Sequence, residues 1–324
     1  MKVLAGDIGG TNARLAIVEL GSGARIIAEQ TLASRAVQSP AAMIADFLAK
    51  QPSLPAHACL GIAGPVVDGT VSGTNLPWVL DAHELGRELG IPALRLLNDF
   101  QAAAHALPLL GSGDLLTLQE GVRDPQGAIA LIGAGTGLGE GFLVRAGDRY
   151  SVQASEGGHS SFTPTDQRGW DLFQHLAAKF GHVSWERVLS GPGLVNIFEF
   201  LAEGRRWEGA DRIREAMVQG DAPAVISRLA LDGADPVAVE ALDLFVDAYG
   251  AQAGNLALTV LATGGVYVAG GIARQIAPKL ADGRFLRAFR RKGRMTALLE
   301  RLPVQVILNP DVGLLGAAAA AGTP

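Results

Sequence analysis

The sequence predicts a two-domain α/β protein built on mixed sheets flanked by helices. Three observations carry this. The chain has 324 residues, enough for two domains that each bury a core. Its first hundred residues order as β-β-β-α-β-α-β-α. One strand–glycine turn–strand unit occurs twice. Val3-Leu4-Ala5-Gly6-Asp7-Ile8-Gly9-Gly10-Thr11-Asn12 runs into Ala13-Arg14-Leu15-Ala16-Ile17-Val18. Ile129-Ala130-Leu131-Ile132 runs into Gly133-Ala134-Gly135-Thr136-Gly137-Leu138-Gly139 and then Gly141-Phe142-Leu143-Val144. A third glycine device, Gly270-Gly271-Ile272, follows the strand Val266–Ala269 and opens a helix.

The elements follow in order. Residues 2–33 read as three antiparallel strands, with Gly9-Gly10 supplying left-handed positions in the first turn and Gly21-Ser22-Gly23 forming the second. Pro40 opens a helix whose Met43, Ile44, Phe47 and Leu48 keep 3–4 spacing. Cys59–Ala63 is a buried strand ending at Gly64-Pro65. Asp68-Gly69 signals a hairpin, and Thr74-Asn75-Leu76-Pro77-Trp78 is a loop. Asp81 caps the next helix, with Glu84 completing a capping box. Leu94–Leu97 is a strand ended by Asn98-Asp99, and a helix runs from Phe100 to Ala106. Strands near 114–119 and 129–153 are followed by a mainly helical stretch to about 263. Within it, Ser190-Gly191-Pro192-Gly193 separates two helices and Asp235-Pro236 starts a long one. Strand Val266–Ala269, helix 272–281, strand Val304–Leu308 and helix 312–322 complete the chain. The expected domains are 1–110 plus 303–324, a small α/β domain, and 111–302, a large one. The double crossing between them forms a hinge.

Composition narrows the function classes. A hydrophobic content of 48% with 18% charged residues is that of a soluble globular protein. No apolar run reaches transmembrane length, and the chain enters a strand directly after Met1, so neither a membrane span nor a signal peptide is expected. The cytoplasm is the expected compartment. Cys59 is the single cysteine, so no disulfide framework and no cysteine-built zinc site is expected. A net charge of −5 argues against broad nucleic-acid binding. A phosphate ligand must then be held by backbone dipoles and metal.

The glycine turns supply such dipoles, because bare turns let N–H groups approach an anion. Asp7, at the end of the first strand, can hold a Mg²⁺ through water. No GxxxxGK[ST] occurs, and residues 133–141 do not fit GxGxxG. Asp99 has two readings: a helix N-cap, or a general base taking a proton from an alcohol that attacks a γ-phosphoryl group. Asn98 beside it can hydrogen-bond sugar hydroxyls. Glu156 and His159 project from a Gly157-Gly158 loop and can bind vicinal hydroxyls, although a lone His is often structural. Glu186 reads either as a further carboxylate ahead of a glycine loop or as a solvated helix residue paired with Arg187.

GDIGGTN, GAGTGLG and VAGGI look like the two phosphate loops and the adenosine loop of the actin/heat-shock-ATPase/sugar-kinase superfamily. The set GDIGGTNARLA, LNDFQAAAHALP, GAGTGLGEGFLV, SEGGHSSFTP and ERVLSGPGLVNIF resembles the bacterial glucokinase family from Met1 nearly to the end. The resemblance implies a two-domain actin-like (ribonuclease H-like) ATPase fold with an interdomain cleft that closes on glucose. It implies ATP-dependent, Mg²⁺-assisted phosphorylation of the glucose 6-hydroxyl, with Asp99 as base. Asn75, Asn98, Asp99, Glu156, His159 and Glu186 would contact glucose. Gly6, Asp7, Ile8, Gly9, Gly10, Thr11, Asn12, Gly133, Gly135, Thr136, Gly137, Gly270 and Gly271 would hold ATP, and a homodimer is implied. Ser160-Ser161-Phe162-Thr163 stands where the related ROK proteins carry a cysteine-rich zinc motif, so no zinc is expected. Ala134 stands where other superfamily members place an acid, which leaves the metal to Asp7 and the nucleotide. The alternatives are a kinase for another hexose and a non-catalytic sugar sensor.

Overall fold

The computed structural model describes residues 1–9, 12–21, 23–34, 39–64, 66–72, 79–205, 207, 210–219 and 221–322. Contacts divide the chain into two units. The first is Met1–Asp114 with Val152–Ala154 and Asn309–Pro324; the second is Leu115–Ser151 with Ser155–Leu308. Gly10, Thr11, Ser22, Pro65 and the Thr74–Trp78 loop with Asn75 lie outside the described residues.

The first unit contains β1 (Lys2–Ile8), β2 (Asn12–Leu20), β3 (Ala24–Ala33), α1 (Pro40–Leu48), β4 (His57–Ile62), β5 (Val66–Val67), β6 (Thr70–Ser72), β7 (Val79–Asp81), α2 (Ala82–Leu89), β8 (Ala93–Asn98) and α3 (Asp99–His105). Five strands form a sheet in the order β3-β2-β1-β4-β8, and β5-β6-β7 form a small one. β1 pairs antiparallel with β2 and parallel with β4. Asp81 caps α2 by accepting the Glu84 N–H at 2.8 Å.

The second unit repeats the plan. It holds β9 (Leu115–Gln119), β10 (Ile129–Ala134), β11 (Leu138–Ala146), the ends of β12 (Arg149–Ser155, whose Val152–Ala154 fall to the first unit), α4 (Gln167–Phe180), α5 (Gly191–Ala202), α6 (Ala210–Gln219), α7 (Ala222–Leu231), α8 (Pro236–Thr259), β13 (Gly265–Ala269), α9 (Gly271–Gln275), α10 (Ala277–Leu280), α11 (Arg284–Arg290), α12 (Thr296–Leu299) and β14 (Val304–Ile307). Its sheet order is β12-β11-β10-β13-β14-β9. β10 pairs antiparallel with β11 and parallel with β13, the same pairing as β1 with β2 and β4. The repeat read from two glycine-punctuated hairpins is thus a repeat of sheet topology. β14 is held on one edge by β13 and on the other by β9. The second unit therefore extends to Leu308, beyond the expected boundary at 302. The last helix, α13 (Val312–Ala321), returns to the first unit.

Each unit has its own core. Fully buried side chains on β10, α5, α8, β13 and α11, among them Ile132, Ile197, Phe245, Val268 and Phe289, form one cluster in the second. In the first, Leu4, Ile8, Leu15, Leu60 and Ile62 pack under α1 and α2, while the alanines of α13 cover the other face of the sheet beside Val3, Ala5 and Cys59.

Glu140 on β11 is a buried exception, 4% exposed, its Oε1 accepting from Gln252 Nε2 at 2.7 Å. Burial pushes its carboxyl above the usual range, against the lowering effect of Gln252. A carboxyl that holds its proton more tightly when folded loses stability as pH rises from the unfolded value through the raised folded one. Glu140→Gln, neutral throughout, is expected to raise the melting temperature at pH 8 and to change it little at pH 4. Thermal melts at the two pH values check this; an equal shift at both would remove the charge as its cause.

Candidate active site

In the first unit the candidate residues gather at the carboxyl ends of β1, β4 and β8. The β1–β2 turn is closed by the Gly9 N–H donating to the Asn12 carbonyl at 2.9 Å. Gly9 is not left-handed, contrary to the expected turn geometry. Its carbonyl is instead anchored by the Ser34 hydroxyl at 2.6 Å, from a side chain that is nearly buried. No sequence signal marked Ser34, since nothing in β3 announces which turn its end will meet.

Gly6 and Ile8 lie inside β1, paired with β2 on one side and β4 on the other, so they belong to the ladder and not to the turn. Asp7, also in β1, has its carboxylate packed against Gly313 at the start of α13. A Cβ on Gly313 would stand 2.5 Å from Asp7 Oδ2. Burial pushes the Asp7 carboxyl upward, and Arg14 across the β1–β2 pair opposes this. Arg14 is itself held by Glu29 at 2.7 Å and Asp311 at 2.5 Å, which ties β2 to the segment leading into α13.

The N-cap of α3 is Asn98, not Asp99. Asn98 Oδ1 accepts the N–H groups of Phe100 at 2.9 Å and Gln101 at 3.3 Å, and the Gln101 side chain returns to the Asn98 N–H at 3.2 Å. This is a full capping box. Asn98 Nδ2 also donates to the Gly64 carbonyl at 3.1 Å. Asn98 is therefore largely spent on structure, and among the described bonds one amide proton is left over. Asp99 is the first residue of the helix, half-buried, with Oδ1 accepting the Phe100 N–H at 2.8 Å. Its capping reading is thereby displaced, because Asn98 already does that work.

In the second unit, Gly133 is buried within β10 and paired with both Gly139 and Ala269. Gly135, Thr136 and Gly137 form the turn. The Gly135 N–H donates to the Gly137 carbonyl at 2.8 Å, and the Gly191 N–H at the start of α5 donates to the Gly135 carbonyl at 2.8 Å. Gly135 is not left-handed, and a Cβ there would meet open space. Gly270 is different. Its φ is +94°, and a Cβ would collide with the Ala134 carbonyl, so only glycine lets β13 leave the sheet there. Gly271 opens α9 and faces open space.

Glu156 precedes, and His159 ends, a single 3₁₀ turn, Gly157–His159, where a loop was expected. Glu186 lies in a second such turn, Trp185–Arg187. His159 Nε2 stands 3.7 Å from Glu156 Oε2, and His159 Nδ1 stands 3.9 Å from Glu186 Oε1. Those distances are too long for hydrogen bonds, so the three side chains are gathered without satisfying one another. The expected Glu186–Arg187 pairing does not occur: the Arg187 guanidinium lies 4.2 Å over the Phe180 ring. Glu186 Oε2 accepts the Leu138 N–H at 3.0 Å, and a Cβ on Gly137 would come within 2.5 Å of it. One carboxylate thus touches the glycine turn with one oxygen and faces His159 with the other. Among the described residues, no group of three or more His, Cys, Asp or Glu is arranged to hold a metal ion. No helix among them is long and apolar enough to cross a membrane.

A family model described as Glucokinase matches residues 4–323. The chain is 45% identical to the glucokinase of Nostoc sp. strain PCC 7120 over 335 aligned residues, covering 98% of this chain and 97% of the relative. The crystal structure of a glucokinase from an Antarctic psychrotroph aligns with a TM-score of 0.84 at 32% identity, covering 99% of this chain and 98% of the other. A ROK family glucokinase from Streptomyces griseus, solved in complex with glucose and AMPPNP, aligns with a TM-score of 0.71 at 24% identity over 99% of each chain and shows likeness of fold. The fold is the actin-like ATPase fold of these sugar kinases. The duplicated hairpin sheets, the glycine turns at their strand ends and the full-length match agree, and the chain belongs to the glucokinase family.

Proposed function

We propose that this chain is a glucokinase that transfers the γ-phosphoryl group of ATP to the 6-hydroxyl of glucose, giving glucose 6-phosphate and ADP. Family membership over the whole chain supports the reaction class. The observation that carries the sugar reading is the open Glu156–His159–Glu186 group, three polar side chains held together with hydrogen-bonding capacity unspent. A polyhydroxy ligand finds in them the partners that its own hydroxyls need, since a buried hydroxyl left unpaired costs about 1–3 kcal/mol. Asn98 adds its remaining amide proton. Asp99 accepts the proton of the attacking hydroxyl.

ATP is assigned to the turns: Gly9 and Asn12 in the first unit, and Gly135, Thr136, Gly137, Gly270 and Gly271 in the second. Asp7 fits a Mg²⁺ bound with the nucleotide, because Mg²⁺ takes one or two carboxylates alongside phosphates and waters. When bound, the ion offsets phosphate charge; the backbone turns orient the phosphates and Asp99 handles the proton. A homodimer in the cytoplasm belongs to the same proposal, and light scattering tests the dimer.

The deciding experiment measures ADP release against glucose, mannose, fructose and N-acetylglucosamine. Glucose is expected to give the highest kcat/KM. A preference for another hexose would reassign the substrate, and no ADP release with any sugar would leave a sensor. Gly135→Val tests the nucleotide assignment. A branched side chain would fill the open space over the turn and keep phosphates from the backbone. The ATP KM is expected to rise about tenfold or more, with glucose affinity by calorimetry changed less than about twofold. An unchanged ATP KM in a folded variant would move the phosphates elsewhere.

A further inference from the structure

Tyr249 lies in the middle of α8, far in sequence from both glycine turns of the second unit, and is fully buried. Its ring makes edge-to-face contacts with Phe245 at 5.9 Å and Phe285 at 5.8 Å. Its hydroxyl accepts the N–H of Ala134 at 3.0 Å and reaches the carbonyl of Ala269 at 3.3 Å, to which it donates. These atoms mark the point where two strands part. The parallel register of β10 and β13 ends at Gly133 with Ala269, and Gly270 then turns away with left-handed backbone. One phenolic oxygen is therefore inserted between the last N–H before Gly135 and the last carbonyl before Gly270. Burial pushes the phenol well above its usual range, so it remains a donor at any working pH.

We propose that Tyr249 is a positioning residue for ATP, setting the separation of the Gly135–Gly137 turn from the Gly270-Gly271 turn through its hydroxyl. This rests on the assignment of those turns to the nucleotide. A ligand that spans both turns is bound more tightly when their spacing is held in advance, since ordering them at binding costs affinity. Packing alone does not explain the arrangement. A phenylalanine would fill the same aromatic core beside Phe245 and Phe285, whereas the hydroxyl serves only the two strand ends.

The test compares three variants by steady-state kinetics and thermal melts: Tyr249→Phe, Phe245→Leu and Gly135→Val. Tyr249→Phe removes the bridging oxygen and keeps the ring. It is expected to raise the ATP KM about tenfold while the glucose KM stays within about twofold. Phe245→Leu loosens the same core and leaves the hydroxyl in place. It is expected to lower the melting temperature with the ATP KM nearly unchanged. The proposal is overturned if Tyr249→Phe lowers only the melting temperature, or if Phe245→Leu raises the ATP KM equally. A Tyr249→Phe protein that fails to fold while Phe245→Leu folds would assign the hydroxyl to the fold and likewise overturn it. If Gly135→Val raises the ATP KM and Tyr249→Phe does not, the clamp alone fails. If folded Gly135→Val and Tyr249→Phe both leave the ATP KM alone, the nucleotide assignment of the turns fails with it.

Discussion

Asp99→Asn is expected to yield a folded protein that binds glucose and turns over about 10²–10⁴-fold more slowly, the usual cost of removing a general base. That loss corresponds to about 3–5 kcal/mol in the barrier at roughly 1.36 kcal/mol per decade. The fold has little reason to change. The helix cap is carried by Asn98 and Gln101, so the substitution leaves the capping box intact. What α3 loses is a negative charge in its first turn, worth about 0.3–1 kcal/mol against the helix dipole. Melting temperature, calorimetric glucose affinity and kcat on one preparation separate the two effects. A kcat within a few-fold of the parent would take Asp99 out of the mechanism. A large fall in melting temperature with normal kcat would make it a structural acid.

Gly316→Val should be the most damaging substitution for the fold of the first unit. Gly316 sits on α13 where that helix crosses α3, and a Cβ there would overlap the Ala102 carbonyl on α3. Backbone on one side and helix on the other leave no flexible side chain to yield. Overpacking in a tight core typically costs about 1–3 kcal/mol and occasionally more, and this contact belongs at the upper end. A drop in melting temperature of roughly 4–6 °C is expected, at about 1.5–2 °C per kcal/mol for a chain of this length. Because α3 carries Asp99 at its first position, kcat should fall as well. Scanning calorimetry and kinetics on the purified variant check both; a melting temperature within about 2 °C of the parent would mean that α13 can move away freely.

These cases show where the sequence was enough. Glycine turns between apolar strands are local signals, since the need for a bare backbone is written in the residue itself. From them followed the duplicated hairpins and the α/β class. Element order followed for the same reason: periodicity and capping residues such as Asp81 act within a few positions of themselves.

Tertiary structure alone decided what each group spends its bonds on. Asn98 and Asp99 are neighbours with similar capping propensity, and only the geometry of the β8–α3 junction shows that Asn98 takes the cap and Asp99 is the first residue of the helix. Glu186 reads either as a carboxylate ahead of a glycine loop or as a solvated helix residue until the fold brings the Leu138 N–H to it from 48 positions away. β14 reads as part of the small domain until both of its edges are seen to be paired with β13 and β9. Ser34 and Tyr249 carry no local mark at all. Their roles exist because a hydroxyl meets unpaired backbone groups that the sheet ends present, and such meetings depend on long-range contacts that no short stretch of sequence encodes.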